Sequence, residues 1–397
     1  MLLRKILLVF PHNPFELRSG IHKRYFELIK YLKERDFSVD LLGLKNFESK
    51  WDPASYPPDY NLIDHLFLYD HRKGLLKDPV EAQRSFPDFF RKYFSVYTRS
   101  NHLHDFAFRS LRKYFDSLMK KGEYHFIVIS YVYWANLVRT NVPEGIVKVL
   151  TLEDFLTLTQ FDALHGKINT GNYLAEETER VNLFDKVICV SAEEMQFFSR
   201  FARNPEYYHI PVFMEPHFSA SQDPEYDMVF IGSANYSNKR GMEWFFRDVY
   251  PLLDPSLRLL IVGSITESIP QQPNVTCIRY AENLSSVHSR SRISINPLLD
   301  GTGMKVKVVE ALSFGIPVVS TARGLTGMPY EVREKLLVAD QAKNFAEVIH
   351  KLISDNTSYQ QQIKISKELF NKYFDKKIIY KELDKIFLHP STAPLHC

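Results

Sequence analysis

NPLLDGTGMKVKVVEALSFGIPVVSTARGLTG, residues 296–327, decides how this chain reads, because it joins a strand, a glycine loop, a helix and another strand in one run. Gly301 and Gly303 bracket Thr302 in a turn where backbone without side chains can approach a ligand and offer its N–H groups. The pattern then predicts a helix from about residue 304 to 314, stopped by Gly315 with Pro317 beyond it. A helix N-terminus carries about half a positive charge and ordinarily attracts Asp or Glu, yet this one holds Lys305 and Lys307. A diphosphate would offset the lysines, the dipole and the unpaired N–H groups together; a loop merely solvated by water is the plainer alternative. At 3.6 residues per turn, Met304, Val308, Ala311 and Leu312 form a buried stripe, and Gly303, Lys307 and Glu310 share another face. Glu310 is therefore expected to point away from the core. There it would accept hydrogen bonds from vicinal ribose hydroxyls, or form a surface ion pair with Lys307.

Outward from this stretch, short apolar runs alternate with longer helical ones, the pattern of parallel sheets covered by helices. KILLVF, SVDLLGL, FIVIS, VKVLTL and KVICVS are the candidate strands of the first half, and DMVFIGS, LRLLIVGS, NVTCI, RISINPL and PVVST those of the second. The expected class is α/β in two Rossmann-like domains. Length agrees, since 397 residues exceed one ordinary core. Residues 211–226, rich in Pro and small polar side chains, suit an exposed connection. The expected division is an acceptor-side domain over 1–212, a nucleotide-binding domain over 225–375, and an amphipathic helix over 376–389 that crosses back to the first domain. A loose tail follows.

The net charge of +3 does not by itself argue for nucleic acid, and no recognised reading motif is present. Cys189, Cys277 and Cys397 are widely spaced and form no disulfide framework, and the apolar run at residues 6–10 is too short for a signal-peptide core or a membrane span. A cytoplasmic protein is expected. Residues 86–121 interleave Arg91, Lys92, Arg99, Arg109, Arg112, Lys113, Lys120 and Lys121 with many aromatics. Such a segment could rest on an anionic membrane surface, placing the protein peripherally at the membrane's cytoplasmic face, or bind an acidic glycan. The bland reading is an amphipathic helix with buried Phe and solvated cations.

On the acceptor side, VKVLTL runs into Glu153 and Asp154, and the carboxyl end of a parallel strand is where α/β enzymes place chemistry. Asp154 is the leading candidate there, with a helix N-cap as its structural alternative. His165 could contact the sugar or act as a base. No D-x-D pair of the metal-holding kind occurs, and His102 with His104 lacks a convincing third ligand, so no metal and no cofactor is expected. A nicotinamide oxidoreductase is disfavoured because no strand is followed by G-x-G-x-x-G.

Residues 296–327 resemble the donor-binding motif of family 4 ("group 1") GT-B glycosyltransferases. The resemblance extends to DMVFIGSANYSNKRGMEWF, LRLLIVGS, NLFDKVICVSAEE and PHNPFELRSGIHKRYFELIKYLKERDFSVDLL. It implies two Rossmann-like domains facing each other across a cleft and a metal-independent, retaining transferase. That enzyme would move a sugar from a nucleotide diphosphate sugar, UDP or GDP, to a glycan or lipid-linked acceptor in surface polysaccharide or glycolipid synthesis. The resemblance implies donor contacts from Gly20, Gly232, Ser233 and Lys239, and from Asp300, Gly301, Thr302, Gly303, Met304, Lys305, Lys307 and Glu310. Lys239 and Lys305 would meet the departing charge, with Asp154 across the cleft. Two positions depart from the pattern: many members have Arg where Ser233 stands and Glu where Thr302 stands. These departures motivate an alternative, a GT-B nucleotide-binding scaffold without transferase activity.

Overall fold

The computed structural model describes residues 4–17, 20–45, 51, 61–70, 101–139, 142–218, 224–281, 284–301 and 303–388. Thr302, residues 86–100 of the basic aromatic segment and the tail from residue 389 lie outside the described residues. The chain divides into two compact units, Met1–His209 and Ile210–Cys397, so the division falls just before the expected connection.

The first unit holds seven strands: β1 (Lys5–Val9), β2 (Ser38–Lys45), β3 (His65–Asp70), β4 (Phe126–Ser130), β5 (Val147–Leu152), β6 (Lys186–Cys189) and β7 (Glu206–His209). All pair in parallel, in the order β3-β2-β1-β4-β5-β6-β7. Central strands covered on both faces need apolar residues throughout, which is why KILLV and FIVIS read so clearly. Helix α1 (Gly20–Glu34) buries Tyr25, Ile29 and Leu32 against this sheet, and α2 (Arg109–Lys121) buries Leu111, Phe115, Leu118 and Met119. Lys113, Lys120 and Lys121 stay exposed on α2. Over residues 109–121, then, the basic aromatic segment is an amphipathic helix with Phe115 buried and lysines in solvent. Helices α3 (Leu156–Ala163), α4 (Thr170–Val181) and α5 (Ala192–Phe201) complete the unit.

The second unit holds β8 (Tyr226–Ile231), β9 (Leu259–Val262), β10 (Val275–Ile278), β11 (Ser291–Asn296), β12 (Val318–Ser320) and β13 (Leu337–Val338). They are again parallel, in the order β10-β9-β8-β11-β12-β13. Its helices are α6 (Tyr236–Trp244), α7 (Leu284–Ser289), α8 (Val306–Ser313), α9 (Tyr330–Lys335), α10 (Ala342–Ser354), α11 (Asn356–Tyr373) and α12 (Lys376–Phe387). The connecting residues belong with this unit: Met214 bridges Asp375, and its carbonyl accepts from the Lys376 N–H at 3.0 Å. In each sheet the strand order reverses beside the first strand, at β1/β4 and at β8/β11. Open α/β sheets bind ligands in the crevice outside the carboxyl ends of the strands at such a reversal.

Candidate functional site

Two loops leave the second sheet at its reversal. After β8, Gly232 is held by its N–H to the Val262 carbonyl at 2.9 Å, and a Cβ there would lie 2.9 Å from Asn238 Nδ2. Asn235 caps α6, its Oδ1 accepting from the Asn238 N–H at 2.8 Å. After β11 the chain passes Asp300, then Gly301 at φ 96° and Gly303 at φ 69°, left-handed values that suit glycine. A Cβ on Gly301 would approach Ser237 Oγ to 3.0 Å, so the two loops are neighbours.

Helix α8 begins later than the sequence predicts, at Val306, with Lys305 at its N-cap and no side-chain cap. Met304 therefore lies before the helix, half-buried in the approach, and not in its core stripe. Glu310 is also displaced from expectation: it is buried, 7% exposed, in a helix whose residues from Val308 to its end are all buried. The helix is packed on more than one face, which a stripe argument assuming a single buried face misses. Lys307 is likewise diverted. Its Nζ donates to Asn238 Oδ1 at 2.7 Å and sits 4.1 Å above the Phe230 ring. Burial, with Lys305 alongside, pushes this ammonium down to about 7.

Asn238 thereby becomes the hub of the site. Its Oδ1 takes Lys307 and its Nδ2 donates to the Ser233 carbonyl at 2.8 Å, tying the post-β8 loop to the first turn of α8. Ser233 itself is exposed, its Oγ accepting from Asn235 Nδ2 at 3.3 Å. Lys305 Nζ folds back onto the Gly303 carbonyl at 3.1 Å. Asp300 accepts from Arg240 at 2.7 Å, which the sequence reading did not foresee, while the adjacent half-buried Lys239 forms no ion pair among the described residues. The α8 N–H groups without a side-chain cap, the Gly301 and Gly303 backbone and the Lys305 ammonium stand together at the start of α8, and such groups favour an anion.

At the carboxyl end of the first sheet stands a second cluster. Glu153 Oε2 accepts from Arg24 of α1, both side chains being almost fully buried. Tyr25 bonds Thr151 at the end of β5. Asp154 is not the N-cap of α3: Phe155 occupies that position. The buried N–H groups of Leu156 and Thr157 donate instead to Glu177, at 2.8 and 2.9 Å, with the Thr157 hydroxyl adding a third bond at 2.6 Å. Burial holds Glu177 up at about 7. Glu194 in the first turn of α5 is pushed up to about 8 by burial and by Asp154, Glu177 and Glu153. Gly20, the first residue of α1, lies in this unit. His165 is exposed at φ 50°, two residues past the far end of α3, a helix that itself rises about 12 Å along its axis. His102 pairs with Glu176 at 2.6 Å, and among the described residues no group of three or more His, Cys, Asp or Glu side chains could hold a metal ion.

Residues 225–355, the span that carries both loops and α8, match the family model for glycosyl transferases group 1. This chain carries a group 1 glycosyltransferase domain. The fold is GT-B, two Rossmann-like units. A variant of S. aureus TarM, solved with fondaparinux, α-GlcNAc-glycerol and UDP, is 11% identical with a TM-score of 0.65, matching 98% of this chain and 100% of that one. Anabaena HepE in complex with UDP is 13% identical with a TM-score of 0.62, over 97% and 99% of the two chains. A Klebsiella pneumoniae relative, described as an uncharacterized 44.6 kDa protein in the cps region, is 26% identical over 225 residues. That alignment takes in 51% of this chain and 56% of the relative, so the chain spans about half the length of the curated relative it matches. No helix among the described residues is long and apolar enough to cross a membrane.

Proposed function

We propose that the protein is a glycosyltransferase that moves a sugar from a nucleotide diphosphate donor to a glycan or lipid-linked acceptor. The observation that carries this reading is the uncapped N-terminus of α8 behind the Gly301 and Gly303 turn, with Lys305 folded onto the Gly303 carbonyl, inside the span matched by the family model. Breaking the anomeric C–O bond leaves an oxocarbenium-like centre and a departing diphosphate, so stabilising the departing charge is the main task. Lys239, Lys305 and the helix N–H groups do this, and Glu310 takes the ribose. UDP in both complexes cited above favours a UDP-sugar as donor, with a GDP-sugar as the alternative. The cps-region relative favours surface polysaccharide synthesis, and we place that work at the cytoplasmic face of the membrane as part of the proposal. Retention of anomeric configuration is proposed from the resemblance of residues 296–327.

The test is a thermal-shift panel of UDP-, GDP-, dTDP- and CMP-sugars followed by donor turnover with the ligand that binds. A ligand at about a hundred times its dissociation constant adds about 2.7 kcal/mol of stability, which a melting curve resolves. One diphosphate nucleotide should raise the melting point. A panel without any shift would remove the nucleotide site.

A further inference from the structure

We propose that the outer side of α3 and α5 is a membrane-contact surface, with Leu158, Phe161 and Phe201 entering the acyl boundary of an anionic leaflet and Lys167, Arg200 and Arg203 meeting its headgroups. That this contact brings the enzyme to a lipid-linked acceptor rests on the transferase reading; the contact itself does not.

Helix α3 is a surface helix without a charged outer side. Of its eight residues only Asp162 is charged, and while Leu156 and Thr157 are buried, Leu158 and Phe161 remain 46% and 42% exposed. A helix that covers a sheet ordinarily turns charged and polar residues outward. Leu158 and Phe161, three positions apart, are neighbours on the outer side instead. The apolar surface does not end with α3. Phe155, one turn before Leu158, packs on Phe197 of α5 with ring centroids 4.8 Å apart, and Phe197 packs on Phe201 at 4.7 Å. Phe201, the last residue of α5, is 57% exposed. Apolar side chains scattered singly over a surface are ordinary, but these form a connected ridge across two helices with three large side chains in water.

Cations stand at both ends of the ridge. At one end the Gly166 N–H donates to the Phe161 carbonyl at 2.8 Å, and a Cβ on Gly166 would lie 3.3 Å from the Phe161 ring. Exposed Lys167 follows directly. At the other end exposed Arg200 and Arg203 flank Phe201, and the Arg203 Nε donates to the Arg200 carbonyl at 3.4 Å. None of these three cations forms an ion pair among the described residues. This charge pattern selects the occupant. A second copy docked here about a two-fold axis would bring cationic end against cationic end. An anionic leaflet instead offers hydrocarbon to the apolar side chains and phosphate to the ammonium and guanidinium groups.

The experiment is co-sedimentation of the full chain with vesicles of phosphatidylcholine alone, and with about a third phosphatidylglycerol. The native protein should bind the anionic vesicles and leave most of the neutral ones bare. Leu158→Ser combined with Phe161→Ser and Phe201→Ser should weaken binding by at least about tenfold, because each removes apolar area that the acyl boundary covers. Arg200→Glu combined with Arg203→Glu should weaken binding to the anionic vesicles by more than about tenfold. All five side chains are exposed, so both variants should keep the native melting point. Direct insertion is read separately: single Phe161→Trp and Phe201→Trp variants should be quenched by brominated phosphatidylcholine in anionic vesicles. Tyr280→Trp, at an exposed position of the second unit, should not be quenched beyond the native protein. Equal sedimentation of the native and serine variants, no preference for anionic vesicles, or unquenched tryptophans at 161 and 201 would each overturn the surface. So would a loss of binding confined to Lys113→Glu with Lys120→Glu and Lys121→Glu on α2. UDP-glucose binding is followed by calorimetry on the same protein. If vesicles bind and UDP-glucose does not, the transferase reading falls and the membrane surface stands; the reverse result removes the surface and leaves the transferase.

Discussion

Raising the pH from 6 to 8 should weaken UDP-glucose binding about tenfold, and the reason is Lys307. Burial over Phe230 and the neighbouring Lys305 push its ammonium down to about 7, although Glu310 favours the charge. Asn238, its hydrogen-bond partner, is a neutral amide and brings no opposite charge. In the free protein Lys307 is about 90% charged at pH 6, half charged at pH 7 and about 10% charged at pH 8. A diphosphate beside α8 stabilises the ammonium, so the complex stays protonated across this range. Apparent affinity then scales with the charged fraction of the free protein, which gives about tenfold, or roughly 1.3 kcal/mol, between the two ends. UDP-glucose is the right ligand because its diphosphate diester has no proton to lose near neutrality, whereas UDP has one. Calorimetry at pH 6, 7 and 8 measures the dissociation constant directly. At pH 7, repetition in two buffers of different ionisation enthalpy should reveal uptake of about half a proton per donor bound. Lys307→Arg, charged throughout, should bind equally at pH 6 and pH 8. A dissociation constant independent of pH, without proton uptake, would refute the coupling of Lys307 to the donor. Linkage also acts on the unliganded fold. Lys307 is neutral when folded and charged when unfolded between pH 7 and its ordinary 10.5, so its contribution makes stability rise with pH across that window.

Glu310→Ala should weaken the donor nucleotide by about 1.5–3 kcal/mol, the worth of hydrogen bonds to a charged group, and an unchanged calorimetric affinity would take Glu310 out of the site. Glu194 has the opposite linkage to Lys307: pushed up from 4.5 to about 8, it is protonated when folded and ionised when unfolded, so its contribution is lost as pH rises through that interval. Glu194→Gln should accordingly gain on the native protein by more than about 1 kcal/mol between pH 5 and pH 8, read as diverging melting points; parallel curves would count against it. Gly263→Ala combines φ 112° with a Cβ only 2.2 Å from the Gly232 carbonyl oxygen, at the base of the post-β8 loop. It should cost about 3 kcal/mol, whereas Gly145→Ala should cost only about 1, the backbone share. Gly145, at φ 86°, has nothing within 4 Å of its Cβ. Similar melting points for the two alanine variants would show that the clash is relieved by movement.

What the sequence discloses and what it hides follow from the same physics. Central strands are buried on both faces, so β1, β4, β8 and β9 announce themselves as unbroken apolar runs. The strands absent from the sequence reading, HLFLYD of β3, EYYH of β7 and the two residues of β13, all lie at sheet edges. An edge strand has one neighbour and one wet side, and its composition merges with that of loops. The glycine turn and its lysines are local in the chain and therefore legible. Partner choice is not: Lys307 finds Asn238 across 69 positions, and Glu177 caps α3 from 21 residues downstream of Leu156. Both cases share one cause. A helix end or a buried ammonium requires some partner, and sequence states the requirement, but only the packed sheet decides which distant side chain meets it. Asp154 shows the consequence. As a local motif it reads equally as cap or as reactive carboxylate, and the arrival of Glu177 at the amides of Leu156 and Thr157 removes the capping role. The structural role of Asp154 at the end of β5 is thus narrowed by a residue on another helix, which is why this carboxylate had to wait for tertiary structure while the glycine turn did not.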